Sequence, residues 1–495
     1  MRERVARSLC WLVWSRGVVQ LLSLCSTLLV ARLLMPADYG LMALVSVWTY
    51  AVALTAEMGL GSAIVQFPEL SDRELNACFW LILGTSTVGY LVLWASAGAI
   101  AAWFASPMLA RVLPVAGLSL PLLALRTVPD GLLRKRLELD RVSQAEVAAM
   151  LVTVPVVLTI AWSGGGVWAL VAGTLVTPLV QNVVSFWFVR WRPGLRVGSR
   201  RLGAILRYSL ASLGARVGWV VYQQLDAVVL GKVSGQAILG LYSMAKLLAS
   251  LPLDKITVVA NQLALPIMAG CQADRATMRV SFLRGLRLVA SLTVPLSVGL
   301  ALVADDFVQV ALGDKWAAAV PVLRVLAVLG LIRSVDTLLP PVLLARYRAN
   351  ALFGWTLALL LIMPFAFWFG AAWLGSLGVA LAWIVVYPLV MTWMAREALR
   401  ELEMGWRTLL DQLRPILVAS LAMAVVVVIV RWGLPASDLT ERLVRLASSV
   451  IVGAVAYAGA VLLQGGALVR EIREVTGWLV RPSLSSRSAR AGEGT

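Results

Sequence analysis

The sequence predicts an all-α polytopic membrane protein, and three observations carry that prediction. Of the 495 residues, 60% are hydrophobic and only 14% are charged, against about 25% charged residues in an ordinary soluble domain. The mean hydropathy is +0.86. Apolar runs of roughly 20 residues, the length that crosses about 30 Å of hydrocarbon, recur along the chain between short basic loops. The composition therefore excludes a soluble fold.

Windows of that length, bounded by proline, glycine and charge clusters, predict about fourteen membrane helices. We expect the first apolar run to be a membrane helix and not a signal peptide, because it is too long, is interrupted by Arg16 and ends without a small-residue cleavage site. The predicted spans are 8–34, 39–64, 75–103, 109–133, 145–163, 167–189, 208–231, 237–266, 286–312, 317–345, 351–374, 376–395, 413–431 and 443–464.

Basic residues are concentrated in alternate loops. The chain has 43 Lys and Arg against 26 Asp and Glu, a net charge of +17. Loops rich in Lys and Arg stay on the cytoplasmic side of a membrane, so we predict that both termini are cytoplasmic. Because the basic residues form short clusters between apolar runs, no nucleic-acid partner is expected.

An internal repeat relates the two halves of the chain. Six spans, an even number, separate the matched positions, so the halves share one orientation. We predict two pseudo-symmetric six-helix lobes, 1–195 and 196–400, two C-terminal helices within 401–466, and a polar cytoplasmic tail, 467–495. A shift of 200 pairs Arg16 with Arg216, Arg32 with Lys232 and Gly40 with Gly240, and a shift of 207 pairs Arg126 with Arg333.

Four arginines lie inside predicted spans, about 12 Å or more from the cytoplasmic edge at 1.5 Å per helical residue. They are Arg16, Arg126, Arg216 and Arg333. Each alone is compatible with snorkelling to the headgroups, or with pairing to an acid such as Asp130. Their recurrence in both halves favours a shared cavity. A guanidinium is suited to bidentate contact with phosphate, which predicts a site for a polyanion such as pyrophosphate.

Each of the other polar residues in the predicted spans has two alternative roles. The acids are either ion-pair partners of the arginines or ligands of a coupling H⁺ or Na⁺; they are Glu57, Asp130, Asp226 and Asp336. The amides either join helices by hydrogen bonds or contact a glycan; they are Asn182, Gln223, Gln224, Asn261 and Gln262.

Several kinds of catalytic or metal site are disfavoured. The chain has no histidine, and its four cysteines show no metal-binding or disulfide spacing. The stretch "SGGG" (163–166) lacks the strand, helix and lysine of a phosphate-binding loop, which disfavours an ATP-driven pump. We expect no catalytic residues, no metal and no resident cofactor.

Four stretches resemble the polysaccharide-transporter branch of the multidrug/oligosaccharidyl-lipid/polysaccharide exporter superfamily, which includes the Wzx-type flippases. They are "ARLLMPADYGLMAL" (31–44), "EMGLGSAIVQ" (57–66), "LDAVVLGKVSGQAILGLYSMAKLLASLP" (225–252) and "ALGDKW" (311–316). The resemblance implies two six-helix lobes around a central cavity in the bacterial inner membrane.

The same resemblance implies an activity and its partners. An undecaprenyl-pyrophosphate-linked oligosaccharide would move from the cytoplasmic to the periplasmic leaflet by alternating access, for O-antigen, capsule or exopolysaccharide synthesis. Arg16 and Arg216 would contact the pyrophosphate. Membrane lipid and polysaccharide polymerase or export proteins are the implied partners.

Two other functions stay open at this point. A cation-coupled small-molecule or drug exporter of the same fold predicts a less cationic and more aromatic cavity. A membrane glycosyltransferase or ligase needs a sizeable extracytoplasmic loop, and only short loops lie on that side.

Overall fold

The computed structural model describes residues 22–57, 70–196 and 202–465, together with positions 17, 20, 60, 61, 64, 67 and 198. These residues form helices and short connections without a strand, which confirms the all-α prediction. A short 3₁₀ helix, Asp314–Ala319, precedes the α-helix that begins at Val320. The helices are α1 (Leu22–Leu33), α2 (Pro36–Glu57), α3 (Asp72–Trp103), α4 (Pro107–Gly117), α5 (Ser119–Lys135), α6 (Leu139–Trp162), α7 (Val167–Phe188), α8 (Leu202–Gly270), α9 (Arg275–Ala311), α10 (Val320–Asp336), α11 (Leu339–Ala345), α12 (Ala349–Glu401), α13 (Trp406–Gly433) and α14 (Leu439–Gln464).

Eleven helices among the described residues are long and apolar enough to cross a membrane. Two helices each cover two predicted spans: α8 bends at Gly235 and α12 bends at Gly375. The first predicted span, 8–34, lies partly outside the described residues, so the number fourteen stays a prediction.

Large apolar side chains remain exposed along these helices. Trp187 is 82% exposed, Trp432 is 89% exposed and Leu463 is 90% exposed. A helix that is apolar around its whole circumference is stable only when protein or lipid covers it. The exposed apolar surface, together with the span lengths, makes the chain a multi-pass membrane protein.

The chain forms two compact units. The first comprises Met1–Met244, Ala311–Ala318 and Leu359–Val379, and the second comprises Ala245–Val310, Ala319–Ala358 and Ala380–Thr495. In the first unit, a large apolar cluster packs α3 against α5. Its fully or nearly fully buried members include Leu75, Cys78, Phe79, Ile82, Ala124, Val128, Leu133 and Val189.

Within the first unit, α2 crosses α8 with backbone against backbone. A Cβ atom on Gly40 would lie 1.6 Å from the carbonyl oxygen of Gln236, and one on Gly240 would lie 1.7 Å from that of Pro36. Gly40 and Gly240 are partners in the sequence repeat, and so are Pro36 and Gln236. The contact is therefore reciprocal, which is the geometry of a local twofold axis.

A second reciprocal contact in the first unit involves two cations that are also partners in the repeat. The Arg32 Nε donates to the carbonyl oxygen of Ala311 (3.0 Å), the last residue of α9, and the Lys232 Nζ donates to that of Trp103 (2.5 Å), the last residue of α3. Terminal helix carbonyls carry partial negative charge and favour cations. Both contacts thus satisfy carbonyls that have no partner within their own helix.

In the second unit, an ion-pair cluster connects the C-terminal helices α13 and α14 to α9. Asp306 is fully buried; the Arg445 Nε donates to it at 3.0 Å, and Arg431 lies 3.3 Å away. The neighbouring Asp305 pairs with Arg324 and Arg431. A buried carboxylate without such partners would strongly destabilise the fold, so these arginines hold α13 and α14 in place.

Matching turns occur at corresponding points of the two predicted halves. Leu137, after α5, has φ 58°, and Tyr347, after α11, has φ 57°. Gly166 has φ 51° and ψ −128°, and Gly375 has φ 56° and ψ −133°. The repeat that the sequence shows in residue types is therefore also present in backbone conformation.

We expect Gly40→Ala to disrupt the crossing of α2 and α8, because its methyl group would overlap the Gln236 carbonyl. Overpacking of this kind costs about 1–3 kcal/mol of unfolding free energy. Melting temperature and monodisperse yield in detergent measure the loss. Gly84→Ala in α3, where a Cβ meets nothing within 4 Å, is the control and should be neutral. Equal melting of the two variants would contradict the tight crossing.

Candidate functional site

The first unit contains a polar cavity of about 560 Å³ beside α5. This volume lies within the roughly 300–1,000 Å³ of small-molecule sites. Glu57 from α2 lines it, and Ser86 contributes from α3. The other lining residues with polar side chains are Tyr50, Arg126, Thr127, Asp130 and Arg134. Three predicted site residues, Glu57, Arg126 and Asp130, are therefore brought together here.

One stripe of α5 supplies three of the four charges. Arg126, Asp130 and Arg134 are spaced four residues apart, which keeps side chains on one face of an α-helix. The helix ends at Lys135, whose Nζ donates to the carbonyl oxygen of Phe67 at 2.7 Å. The end of α5 is thus tied to the segment after α2, and the charged stripe faces the cavity.

Asp130 holds the head of Arg126. The Arg126 Nε lies 3.1 Å from Asp130 Oδ2, and the side chains are 24% and 13% exposed. The Ser185 Oγ, on α7, donates to Asp130 Oδ1 at 3.0 Å. Both carboxylate oxygens are therefore engaged, and Asp130 positions Arg126 with support from a second helix.

Glu57 and Arg134 leave their charged groups available to the cavity. Neither has an ion-pair partner within 4.0 Å among the described residues. A Cβ on Gly61 would come within 2.5 Å of the Glu57 Oε1, so the chain after α2 packs closely against this carboxylate. Two acids and two arginines line the cavity, which makes its formal charge zero.

A second polar group, in the second unit, surrounds Trp383 on α12; we refer to Lys246, Arg333, Asp336, Trp383 and Tyr387 as the Trp383 cluster. The Lys246 Nζ lies 5.7 Å from the centroid of the indole ring, and the Arg333 Cζ lies 5.9 Å from it. The Tyr387 hydroxyl donates to Asp336 Oδ2. Arg333 and Asp336 are thus placed together with a lysine that the predictions did not include.

The remaining predicted residues have separate surroundings. Asp226 is fully buried and accepts a 2.6 Å hydrogen bond from the Tyr242 hydroxyl. Asn182 Nδ2 donates to the carbonyl oxygen of Leu122 at 2.7 Å, joining α7 to α5. These contacts have the form of hydrogen bonds that hold helices together.

The amide side chains on α8 do not form one group with the cavity. Gln223 and Gln224 are partly buried, and Asn261 and Gln262 are exposed. None of the four lines the cavity. Arg16 lies outside the described residues, and Arg216 lies in α8 with its side chain outside the described part, so the contact of both arginines with a phosphate stays a prediction.

Two cations were missed by sequence reasoning, although each had a signal. Arg134 was interpreted only as a marker of the cytoplasmic edge, but its four-residue spacing from Asp130 places it on the same helix face. Lys246 lies inside the predicted span 237–266, where a charge is costly and marks a functional site by default. The indole beside Lys246 lies more than 130 residues away in sequence, so only the fold reveals it.

Comparison with a family model shows what kind of protein this is. The model described as "Polysaccharide biosynthesis protein" matches residues 29–321, more than half of the chain. The chain belongs to this polysaccharide biosynthesis family. The match includes α5 and its cavity, and it confirms the resemblance that the four sequence stretches indicate.

Two curated relatives cover most of the chain. The teichuronic acid biosynthesis protein TuaB of Bacillus subtilis is 25% identical over 418 residues, which are 83% of this chain and 85% of that protein. The succinoglycan biosynthesis transport protein ExoT of Rhizobium meliloti is 24% identical over 480 residues, 96% of each chain. Similarity to members of this family thus extends over both predicted lobes.

A solved structure shares the fold. The lipid II flippase MurJ, in an inward closed conformation, superposes with a TM-score of 0.70 over 91% of this chain and 97% of that chain, at 12% identity. This similarity shows that the two chains share a fold. The prediction of a membrane transporter rather than an enzyme agrees with it and with the transport protein named among the relatives.

We expect Asp130→Asn to destabilise this family member, because Arg126 then keeps its charge and loses its carboxylate. The loss should be about 1–3 kcal/mol, below the 3–5 kcal/mol of a fully buried pair, and unfolding in detergent measures it. The control is Glu138→Gln in the more exposed Arg141–Glu138 pair, where we expect less than about 1 kcal/mol. Equal losses would contradict the positioning role of Asp130.

Proposed function

We propose that the protein moves a polyprenyl-pyrophosphate-linked oligosaccharide from the cytoplasmic to the periplasmic leaflet of the bacterial inner membrane. The product would supply O-antigen, capsule or exopolysaccharide synthesis. The observation that carries the proposal is the polar cavity of about 560 Å³ among membrane-spanning helices of a polysaccharide biosynthesis family member.

The lining of the cavity is suited to a polar headgroup. Sugars present hydroxyl groups that donate and accept hydrogen bonds, and in hydrocarbon these groups would lack partners. Tyr50, Ser86 and Thr127 offer hydroxyls, Glu57 offers acceptors, and Arg134 offers donors. The cavity can therefore replace the water that an oligosaccharide loses, while a polyprenyl chain stays in the bilayer.

The names of the relatives support this choice over a drug exporter. TuaB is named for teichuronic acid biosynthesis, ExoT is named as a transport protein of succinoglycan biosynthesis, and MurJ is named as a flippase of lipid II. A drug exporter of the same fold predicts a less cationic and more aromatic cavity, whereas the lining of this one includes two arginines and a single aromatic residue, Tyr50.

The orientation and the driving force are part of the proposal. The basic loops favour cytoplasmic termini. No covalent step is needed, and the energy would come from a coupled H⁺ or Na⁺ or from the membrane potential, which supplies about 2.3 kcal/mol per charge per 100 mV. Polysaccharide polymerase and export proteins are the partners that we expect.

Reconstitution tests the function directly. Liposomes containing the purified protein and a fluorescent polyprenyl-pyrophosphate-linked disaccharide are treated with an impermeant reductant. We expect the protein to make the inner-leaflet label reducible, whereas protein-free liposomes lose only the outer-leaflet label. Efflux of a cationic dye without movement of the disaccharide lipid would instead identify a drug exporter.

The sequence repeat generates a separate prediction for Arg16 and Arg216. We expect Arg16→Ala and Arg216→Ala each to abolish complementation of a flippase-deficient strain at near-normal protein abundance. The control is Arg400→Ala at the end of α12, where the side chain is 75% exposed; it should complement fully. Full complementation by both Arg16→Ala and Arg216→Ala would refute their contact with the pyrophosphate.

A further inference from the structure

One end of the first unit carries an excess of positive charge. The start of α3, the turn from α5 to α6 and the loop after α7 meet at this end. Residues 71–76, 134–141 and 190–196 hold eight Lys and Arg against four Asp and Glu. Short basic turns between apolar membrane helices lie at the level of the lipid headgroups. This end of the unit therefore faces a membrane surface.

Three arginines at this end have no counter-charge. Arg136, Arg190 and Arg196 are exposed, and none has an ion-pair partner within 4.0 Å among the described residues. Glu138, the acid closest in sequence to Arg136, already has Arg141 at 2.8 Å. The three guanidinium groups are therefore available to phosphate groups, to which a guanidinium donates two parallel hydrogen bonds.

Two leucines adjacent in sequence to these arginines are exposed. Leu137 is 68% exposed and Leu195 is 85% exposed. Leu137 has φ 58° just after α5, a position where glycine is usual because a side chain is strained there. The turn between Lys135 and Leu139 is three residues long, so Leu137 stays within about 10 Å of the ends of both helices. An apolar side chain at that depth can enter the boundary between headgroups and acyl chains.

Hydrogen bonds hold the loop that contains Leu195 against α3. The Asn76 Oδ1 accepts from the backbone N–H of Gly194 at 3.0 Å, and its Nδ2 donates to the carbonyl oxygen of Arg196 at 3.3 Å. The Trp80 Nε1 donates to the Gly194 carbonyl oxygen at 2.9 Å. Asn76 is 6% exposed, so these contacts are buried. A loop that is ordered in this way before it binds a ligand loses little entropy on binding.

The turn that contains Leu137 is tied to the same loop through Arg141. The Arg141 Nη1 donates to Glu138 Oε2 at 2.8 Å and to the carbonyl oxygen of Phe188 at 3.3 Å. Phe188 is the last residue of α7, directly before the loop. The turn and the loop are therefore parts of one surface.

The matching turn of the second unit has an exposed ring but no comparable free charge. Tyr347, with φ 57°, is 84% exposed. Its neighbours Arg346 and Arg348 lie 3.1 Å and 3.0 Å from Glu401. The exposed apolar tip is thus common to both turns, whereas Arg136 of the first turn has no carboxylate beside it.

We propose that Arg136, Leu137, Arg190, Leu195 and Arg196 form a binding surface for anionic phospholipids such as phosphatidylglycerol; we call these five residues the lipid patch. The leucines enter the acyl boundary, and the arginines donate to the lipid phosphates. An anionic headgroup compensates the three arginines, whereas a zwitterionic headgroup brings its own cation. The patch lies outside the cavity, and its assignment to the cytoplasmic leaflet rests on the proposed function.

Native mass spectrometry of the purified protein measures which lipids it retains from a mixture of phosphatidylglycerol and phosphatidylcholine. We expect wild type to retain phosphatidylglycerol preferentially. Arg136→Gln and Arg196→Gln should each lower that preference about fivefold, the effect of one cation at a charged membrane surface. The matched control is Arg400→Gln, an exposed arginine that already has Glu397 at 2.9 Å; it should retain lipid like wild type.

Spin labels test whether the leucines enter the bilayer. Leu137→Cys and Leu195→Cys, each made in a chain without its four native cysteines, carry a nitroxide in nanodiscs that contain phosphatidylglycerol. We expect the nitroxide to collide more often with dissolved oxygen, which concentrates in the acyl region, than with an aqueous nickel chelate. A nitroxide that meets mainly the nickel chelate would place both tips in water and would refute the lipid patch.

The outcomes separate this inference from the proposed function. Equal retention of the two lipids by wild type, or an unchanged preference in both Arg136→Gln and Arg196→Gln, would overturn the lipid patch. An equal loss in Arg400→Gln would do the same, because it would show a response to net charge alone. Disaccharide-lipid movement is measured in phosphatidylcholine liposomes without anionic phospholipid, so its failure would overturn only the proposed function.

Discussion

The contact on which the first unit depends is the crossing of α2 and α8 at Gly40 and Gly240. Each glycine lets the other helix approach until a backbone carbonyl occupies the place of a Cβ atom. Because lipid is as apolar as a leucine side chain, membrane helices associate through close packing of small residues rather than through the hydrophobic effect. The Gln236 side chain reinforces the crossing, since its Oε1 accepts a 2.9 Å hydrogen bond from Ser106.

A second constraint is that a charge within the spans is costly without a partner, and the fold uses three kinds of partner. Carboxylates accept from Arg126 and Arg445, terminal helix carbonyls accept from Lys232, and an indole ring lies beside Arg333. These partners differ in charge. A carboxylate neutralises the cation that it contacts, whereas a terminal carbonyl and an indole ring stabilise a cation without neutralising it.

Much of the fold and a part of the site could be predicted from the sequence. Helices follow from apolar length, and the four-residue spacing of Arg126 and Asp130 places them on one helix face. Contacts between helices that are far apart in the sequence could not be predicted, because residue spacing does not show which helix faces meet. Ser185 beside Asp130 and Trp383 beside Lys246 belong to this class, and so do the arginines that pair with Asp306.

Two helices that correspond in the repeat place their arginines beside different partners, because the acid that follows each arginine is at a different spacing. Arg126 and Arg333 correspond under the 207-residue shift, yet the acid that follows them moves by one residue, from Asp130 to Asp336. Asp130 is four residues on and within α5, where it reaches the guanidinium. Asp336 is three residues on and ends α10, where it accepts from Tyr387 instead. One change of register thus separates an arginine paired with a carboxylate in its own helix from an arginine that lies beside the indole ring of another helix.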